Sequence, residues 1–306
     1  MLTADLERRA VRLGTLTVGD GPAVVIGGPG AEARLLDLRV RREPAAEALT
    51  RVRASWEGPL LVEPSAADDL PAIAAGADAV VVGAAWTRDL PLVRAAARLG
   101  LPVVVHRGPA ATLEEWLAVA GQCAAEGNDR IVLCESGGRA RVAEPAPDLA
   151  LLRAARERSG RPVVAGLGEG AGLAAAAVAA GADGLLLSPG APEEAVRGAL
   201  EAARVVGALT RPETPGSILA ARGAIDRVDA ALAVLLERRI GLAGVIQRLK
   251  PVGGFAGRDP DRERRLVAEM ARRAPTLGEE RLAPIMKAVI EAGLHVAEER
   301  RARDGA

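Results

Sequence analysis

Eight short apolar runs recur through the first two thirds of the chain, at residues 23–26, 35–38, 59–62, 79–82, 102–105, 130–134, 162–165 and 184–187. Each is four or five residues of mostly Val, Leu, Ile or Ala, without polar alternation, as expected of a strand covered on both faces. Amphipathic segments stand between them, among them 89–99, 112–126 and 148–159. Eight buried strands with intervening helices predict an α/β fold, a (β/α)8 TIM-type barrel over residues 1–206. A doubly wound open sheet is the other arrangement the alternation permits. Only residues 27–34 separate the first two runs, too few for a crossover helix. Either the barrel is incomplete in its first βα unit, or one of those runs is not a strand. Residues 16–21, with a Gly-Asp-Gly turn, read as a small hairpin or barrel plug.

At 306 residues the chain has room for a barrel and a smaller domain. Aromatic residues make up 1%, with one Phe and no Tyr, so the core must be built from Ala, Val, Leu and Ile. The net charge is zero, with a mild basic excess after residue 214 and a mild acidic excess before it. That suits a small anionic ligand in the tail and falls far short of a nucleic-acid footprint. Cys123 and Cys134 form neither a disulfide framework nor a metal-ligand spacing. The charged N-terminal stretch has no apolar signal region, and the bland segment 171–182 is too short to span a bilayer. A soluble cytoplasmic protein with no nucleic-acid or membrane partner is expected. Of 40 basic residues only Lys250 and Lys287 are lysines.

A Pro/Gly/Thr-rich linker at 207–217 ends the alternation, and a second domain follows over 218–306. Helices are predicted over 217–250, stopped by Pro251 and Gly253-Gly254, then 259–274 from an Asp259 N-cap, then 278–301. Arg239 and Lys250 lie 11 residues apart, three turns and about 16 Å along one helix face. Arg222 lies 17 residues before Arg239 and falls on a different face. Taken singly, such arginines are usually solvated. One ligand can use all three only if a second chain brings its own copy. The apolar stripe of the long helix also exceeds what two short helices can cover. Both observations point to an intertwined homodimer.

The stretch Arg222-Gly-Ala-Ile-Asp-Arg-Val-Asp229, then Leu235-Leu-Glu-Arg-Arg239, Lys250 and Asp259-Pro-Asp-Arg-Glu-Arg264 resembles the all-α chorismate mutase family. Lys287-Ala-Val-Ile-Glu-Ala-Gly-Leu294 is similar to mutase domains fused to DAHP synthases. The resemblance implies conversion of chorismate to prephenate without a cofactor. It implies that Arg239 and a partner chain's Arg222 hold two carboxylates, and that Lys250 meets the ether oxygen and a carboxylate. Asp259 and Glu263 would meet the ring hydroxyl, and Arg262 would hold a carboxylate and its acidic neighbours. The family's third-helix Gln or Glu, a second donor to the ether oxygen, falls at Ala297, with Glu298 about 100° round the helix. A weakened mutase, or one completed by another group or partner, is expected.

Val18-Gly-Asp-Gly21, Gly27-Gly-Pro29, His106-Arg-Gly108, Thr112-Leu-Glu-Glu-Trp-Leu117, Leu133-Cys-Glu-Ser-Gly-Gly-Arg139 and Gly181-Ala-Asp-Gly-Leu185 resemble a small type I DAHP synthase. The functional positions implied by that family are changed. Its metal Cys is Gly30, its metal His Glu169, its last-strand Glu Ser188, its lysine His106 and its first phosphate-binding Arg Ser136. The Lys-Pro-Arg-Thr-Ser-Pro loop is absent. No metal is expected, and DAHP synthase activity is expected to be lost. Arg107 and Arg139 form a possible residual anion site, and His106 with Glu169 a possible new pair. The rival readings are a regulatory scaffold that binds chorismate or prephenate and modulates a genuine DAHP synthase, and a bifunctional synthase/mutase.

Overall fold

All eight apolar runs are strands of one closed parallel barrel in the computed structural model, which describes residues 8–138, 146–211, 213–250 and 254–304. A hairpin of β1 (Val11–Leu13) and β2 (Leu16–Val18) precedes β3 (Val24–Gly27) and β4 (Ala33–Asp37). Then follow α1 (Ala45–Arg53), β5 (Leu60–Glu63), α2 (Leu70–Gly76), β6 (Ala79–Val82), α3 (Leu90–Arg98) and β7 (Val103–His106). The rest of the barrel is α4 (Leu113–Ala125), β8 (Ile131–Glu135), α5 (Leu149–Ser159), β9 (Val163–Gly168), α6 (Ala174–Ala179), β10 (Gly184–Leu187) and α7 (Glu193–Thr210). Each strand pairs with its sequence neighbour, and β10 closes on β3.

Alternate residues on each strand divide between two apolar layers. Val25, Leu60, Val80 and Val103 face the helices, whereas Ile26, Leu61, Val81 and Val104 fill the lumen. Val11, Leu13 and Val18 join the lumen layer, so the hairpin is a plug; it begins five residues earlier than residues 16–21. With few aromatics available, Trp116 is the largest fully buried side chain, and its Nε1 donates to the Val105 carbonyl (3.0 Å).

The first βα unit is incomplete, the first of the two outcomes expected. Both flanking strands exist and pair in parallel, Ile26 with Ala33, yet no helix lies between them. Five residues make the connection, with Gly30 at φ +88°, a backbone region that favours glycine. Glu32 fastens the turn: its carboxylate accepts from Val25 N–H (2.7 Å) and its own N–H donates to the Val25 carbonyl (3.0 Å). The barrel is closed and lacks its first crossover helix.

Three helices follow, as the sequence predicts: α8 (Ile218–Leu249), α9 (Pro260–Arg273) and α10 (Gly278–Asp304). The expected linker differs at its start, because α7 continues to Thr210 with Gly207 buried on it. Arg227 donates to Glu213 (3.0 Å), which ties the first turns of α8 to that stretch. Two compact units result, and the division falls after Val228, inside α8. In the second unit the Asp259 carboxylate accepts from Arg262 N–H (3.0 Å) and starts α9. Leu282, Met286 and Leu294 supply the buried residues of α10.

Candidate active site

The helical unit encloses a cavity of about 270 Å³ among α8, α9 and α10. Arg239 and Lys250 reach it from α8, as their three-turn spacing requires, and Arg262 and Glu263 reach it from α9. Asp259 lines it from the N-cap position, and Leu242, Ile246, Leu266, Ile290 and Leu294 supply apolar walls. Five of the residues expected from the sequence therefore converge. Lys250 Nζ donates to the Gly257 carbonyl (2.7 Å), which fixes the ammonium against the loop between α8 and α9. The Arg262 backbone N–H holds the Asp259 carboxyl below its usual range, and Arg258 does the same for Glu263. Both are anionic acceptors at neutral pH.

Two expected residues are not brought in. Arg222 is not among the lining residues, and neither is Ala297. On the third helix Ile290 and Leu294 line the cavity, whereas neither Ala297 nor Glu298 is among the lining residues. The Glu298 carboxylate lies beside Gly254, with Oε1 2.8 Å from the Cβ position that glycine leaves empty. Three further residues escaped the sequence reading. Arg258 donates to both oxygens of Glu263 (3.0 and 2.7 Å) and to Glu291 (3.0 Å). Gln247 Oε1 accepts from Gly254 N–H (2.7 Å), and Phe255 packs on His295 with ring centres 5.0 Å apart. Gln247 had a signal, a polar residue one turn before Lys250. Arg258 had none, because its partners are set by a loop crossing rather than by helix periodicity.

Residues 221–298 match the family model for chorismate mutase type II, and residues 41–166 match that of the DAHP synthetase I family. The chain joins a DAHP synthetase I barrel to a chorismate mutase type II domain. A phospho-2-dehydro-3-deoxyheptonate aldolase of Thermotoga maritima is 27% identical over 219 residues, 59% of this chain and 65% of that protein. A 2-dehydro-3-deoxyphosphooctonate aldolase of Magnetococcus marinus is 36% identical over 111 residues, 36% of this chain and 34% of that one. The chain thus spans less than two thirds of either curated relative. The crystal structure of the Thermotoga aldolase superposes with a TM-score of 0.54 at 24% identity, covering 60% of this chain and 64% of that one. A truncated form of 3-deoxy-D-arabino-heptulosonate 7-phosphate synthase from Thermotoga maritima gives 0.53 at 24%, covering 60% and 80%. Both likenesses concern the fold.

At the strand ends of the DAHP synthetase I barrel the lumen changes from apolar to polar. Glu63 ends β5, His106 ends β7, and Ser136 follows β8. His106 Nδ1 meets Ser136 Oγ at 3.2 Å, while Glu169 is exposed, so the pairing of His106 with Glu169 gives way to one with Ser136. Burial and the nearby Arg39 push His106 down to about 4. Burial pushes Glu63 up to about 7 despite Arg39 Nη1 at 3.0 Å. Of the two arginines expected to form a residual anion site, one is described. Arg107 is buried and turns its guanidinium to Glu135 (Nη2 to Oε1, 2.9 Å) and to the Ala111 carbonyl (3.0 Å). Arg139 lies outside the described residues. Among the described residues no three His, Cys, Asp or Glu side chains stand together as a metal would require. Cys134, pushed up to about 12 by burial, is a packed thiol. No described helix is long and apolar enough to cross a membrane.

Proposed function

We propose that the helical unit is a working chorismate mutase, converting chorismate to prephenate, and that the barrel no longer performs DAHP synthase chemistry. One observation carries the reading: Arg239, Lys250 and Arg262 share an apolar-walled cavity of about 270 Å³ with two fixed carboxylates, and no Ser, Cys or His lines it. The rearrangement is concerted, so it asks for a compact substrate conformer and for cations facing the ether oxygen. Lys250 faces that oxygen, and Arg239 holds a carboxylate. Asp259 and Glu263, both anionic, accept from the ring hydroxyl. Ala297 leaves the family's third-helix donor position empty, so turnover is lower than with that donor in place. Buried Leu294 keeps water from the apolar wall of the cavity, which strengthens the interactions beside it.

The second carboxylate contact comes from a second copy of the chain, which supplies Arg222. The apolar face of α8 supports this. Ile218, Ile225, Val228, Leu232, Leu235 and Leu242 are each 44–75% exposed, and their spacing follows a seven-residue repeat of the kind that pairs long helices. For the barrel, Gly30, Glu169 and Ser188 replace the expected ligand set, and the described residues do not fit a metal ion.

Chorismate consumption followed with purified protein tests the mutase reading. Turnover is expected, and it should fall by about 100- to 1000-fold in Lys250→Met, the loss typical of one preorganised donor. A rate equal to the uncatalysed one in the parent protein sinks the reading. Metal-dependent formation of DAHP from phosphoenolpyruvate and erythrose 4-phosphate would refute the loss assigned to the barrel.

A further inference from the structure

We infer that the helical unit holds a second ligand site, on the outer side of α9 and α10, for a small amphipathic monocarboxylate. Its effect on turnover rests on the mutase reading above; its existence does not. A cavity of about 350 Å³ opens there, within the size range of small-molecule sites. Val267, Met286 and Ile290 give it an apolar wall, and Arg264 and Lys287 stand at its polar edge.

Lys287 decides the ligand chemistry. It is one of two lysines among 40 basic residues, and the other, Lys250, lines the first cavity. Lys287 is exposed and makes no ion pair among the described residues. Its natural helix partner one turn on, Glu291, is taken by Arg258 at 3.0 Å. The other charges are committed. Glu263 is held by Arg258, Arg264 by Asp261, and Glu279 sits in the first turn of α10, where the helix end favours a negative charge. One uncommitted ammonium beside an apolar wall matches a single carboxylate carrying an apolar body.

Arg258, Glu263 and Ile290 line both cavities. A carboxylate entering the outer one competes for Arg258. Glu263 then loses the guanidinium that fixes it in the inner one. Occupancy of the two cavities is thereby linked, and the linkage is reciprocal.

Calorimetric titration of the full chain with 3-phenylpropanoate tests the site. Two binding events per chain are expected, because the inner cavity is also cationic. Lys287→Gln, a surface change that leaves the fold intact, should weaken one event by about tenfold or more, and Lys250→Gln the other. The neutral 3-phenylpropanol should bind the outer site about tenfold more weakly. A single event insensitive to Lys287→Gln, or equal affinity for acid and alcohol, overturns the site. Turnover should change as the outer site fills and stop responding in Lys287→Gln; a response that survives the substitution overturns the coupling. A chain without turnover would refute the mutase reading and leave the titration to decide the site.

Discussion

Glu63 and His106 share the rim of the barrel, and burial drives their protonation in opposite directions. Glu63 rises from 4.5 to about 7, and His106 falls from 6.5 to about 4; Arg39 and Asp37 act on both. Between pH 4.5 and 7 the folded chain keeps a proton on Glu63 that the unfolded chain has lost, so this group makes stability fall as pH rises. Between pH 4 and 6.5 the unfolded chain protonates His106 and the folded chain does not, so that group makes stability rise with pH. The two nearly cancel in the parent protein. Glu63→Gln removes one of them. Its unfolding free energy relative to the parent should climb by on the order of 3 kcal/mol from pH 4.5 to 7, as read by urea denaturation. A difference that stays flat with pH would disprove the burial assigned to Glu63. At this scale helix spacing showed Arg239 and Lys250 on one face, while Arg262, on another helix, came only with the family resemblance. Arg258 stayed hidden because its partners lie across a loop and on another helix.

The barrel strands were legible as continuous apolar runs, and the three late helices by their caps and stops. Thr112 and Glu115 show the local logic: each side chain caps the other's backbone N–H at the start of α4. The missing first crossover helix was visible only as a length conflict, since no periodicity announces a turn fastened by Glu32. Strand β1 went unread because three residues with a central arginine carry almost no pattern. The apolar seam of α8 is the element-scale feature with most consequence. Leu232 stands in that seam, 50% exposed, and does not line the cavity. Leu232→Asp should convert a dimer to a monomer in light scattering and lower turnover with it, since an isolated charge in a paired helix seam costs several kcal/mol. A monomeric parent protein with full turnover would refute the pairing of α8.

The whole molecule joins a DAHP synthetase I barrel to a chorismate mutase type II domain. Both lineages were readable from motifs in order along the chain. The state of the barrel mouth was not, because Arg107 and Arg139 looked alike in sequence and only coordinates show Arg107 spent on Glu135. The proposed sharing of one site between two chains gives a test at this scale. Arg222→Gln and Lys250→Met should each lose most turnover, and a co-refolded equal mixture should regain about a quarter of the parent rate, because half the dimers then hold one intact site of two. A mixture no better than its components would place Arg222 outside the shared site. The two lysines, one beside each cavity of the helical unit, also make the chain its own reporter. An amine-selective acylating reagent read by mass spectrometry has only two side chains to mark. Exposed Lys287 signals occupancy of the outer cavity, and Lys250, tethered to the Gly257 carbonyl, signals that of the inner one. Both occupancies can be followed in the native protein without a tag.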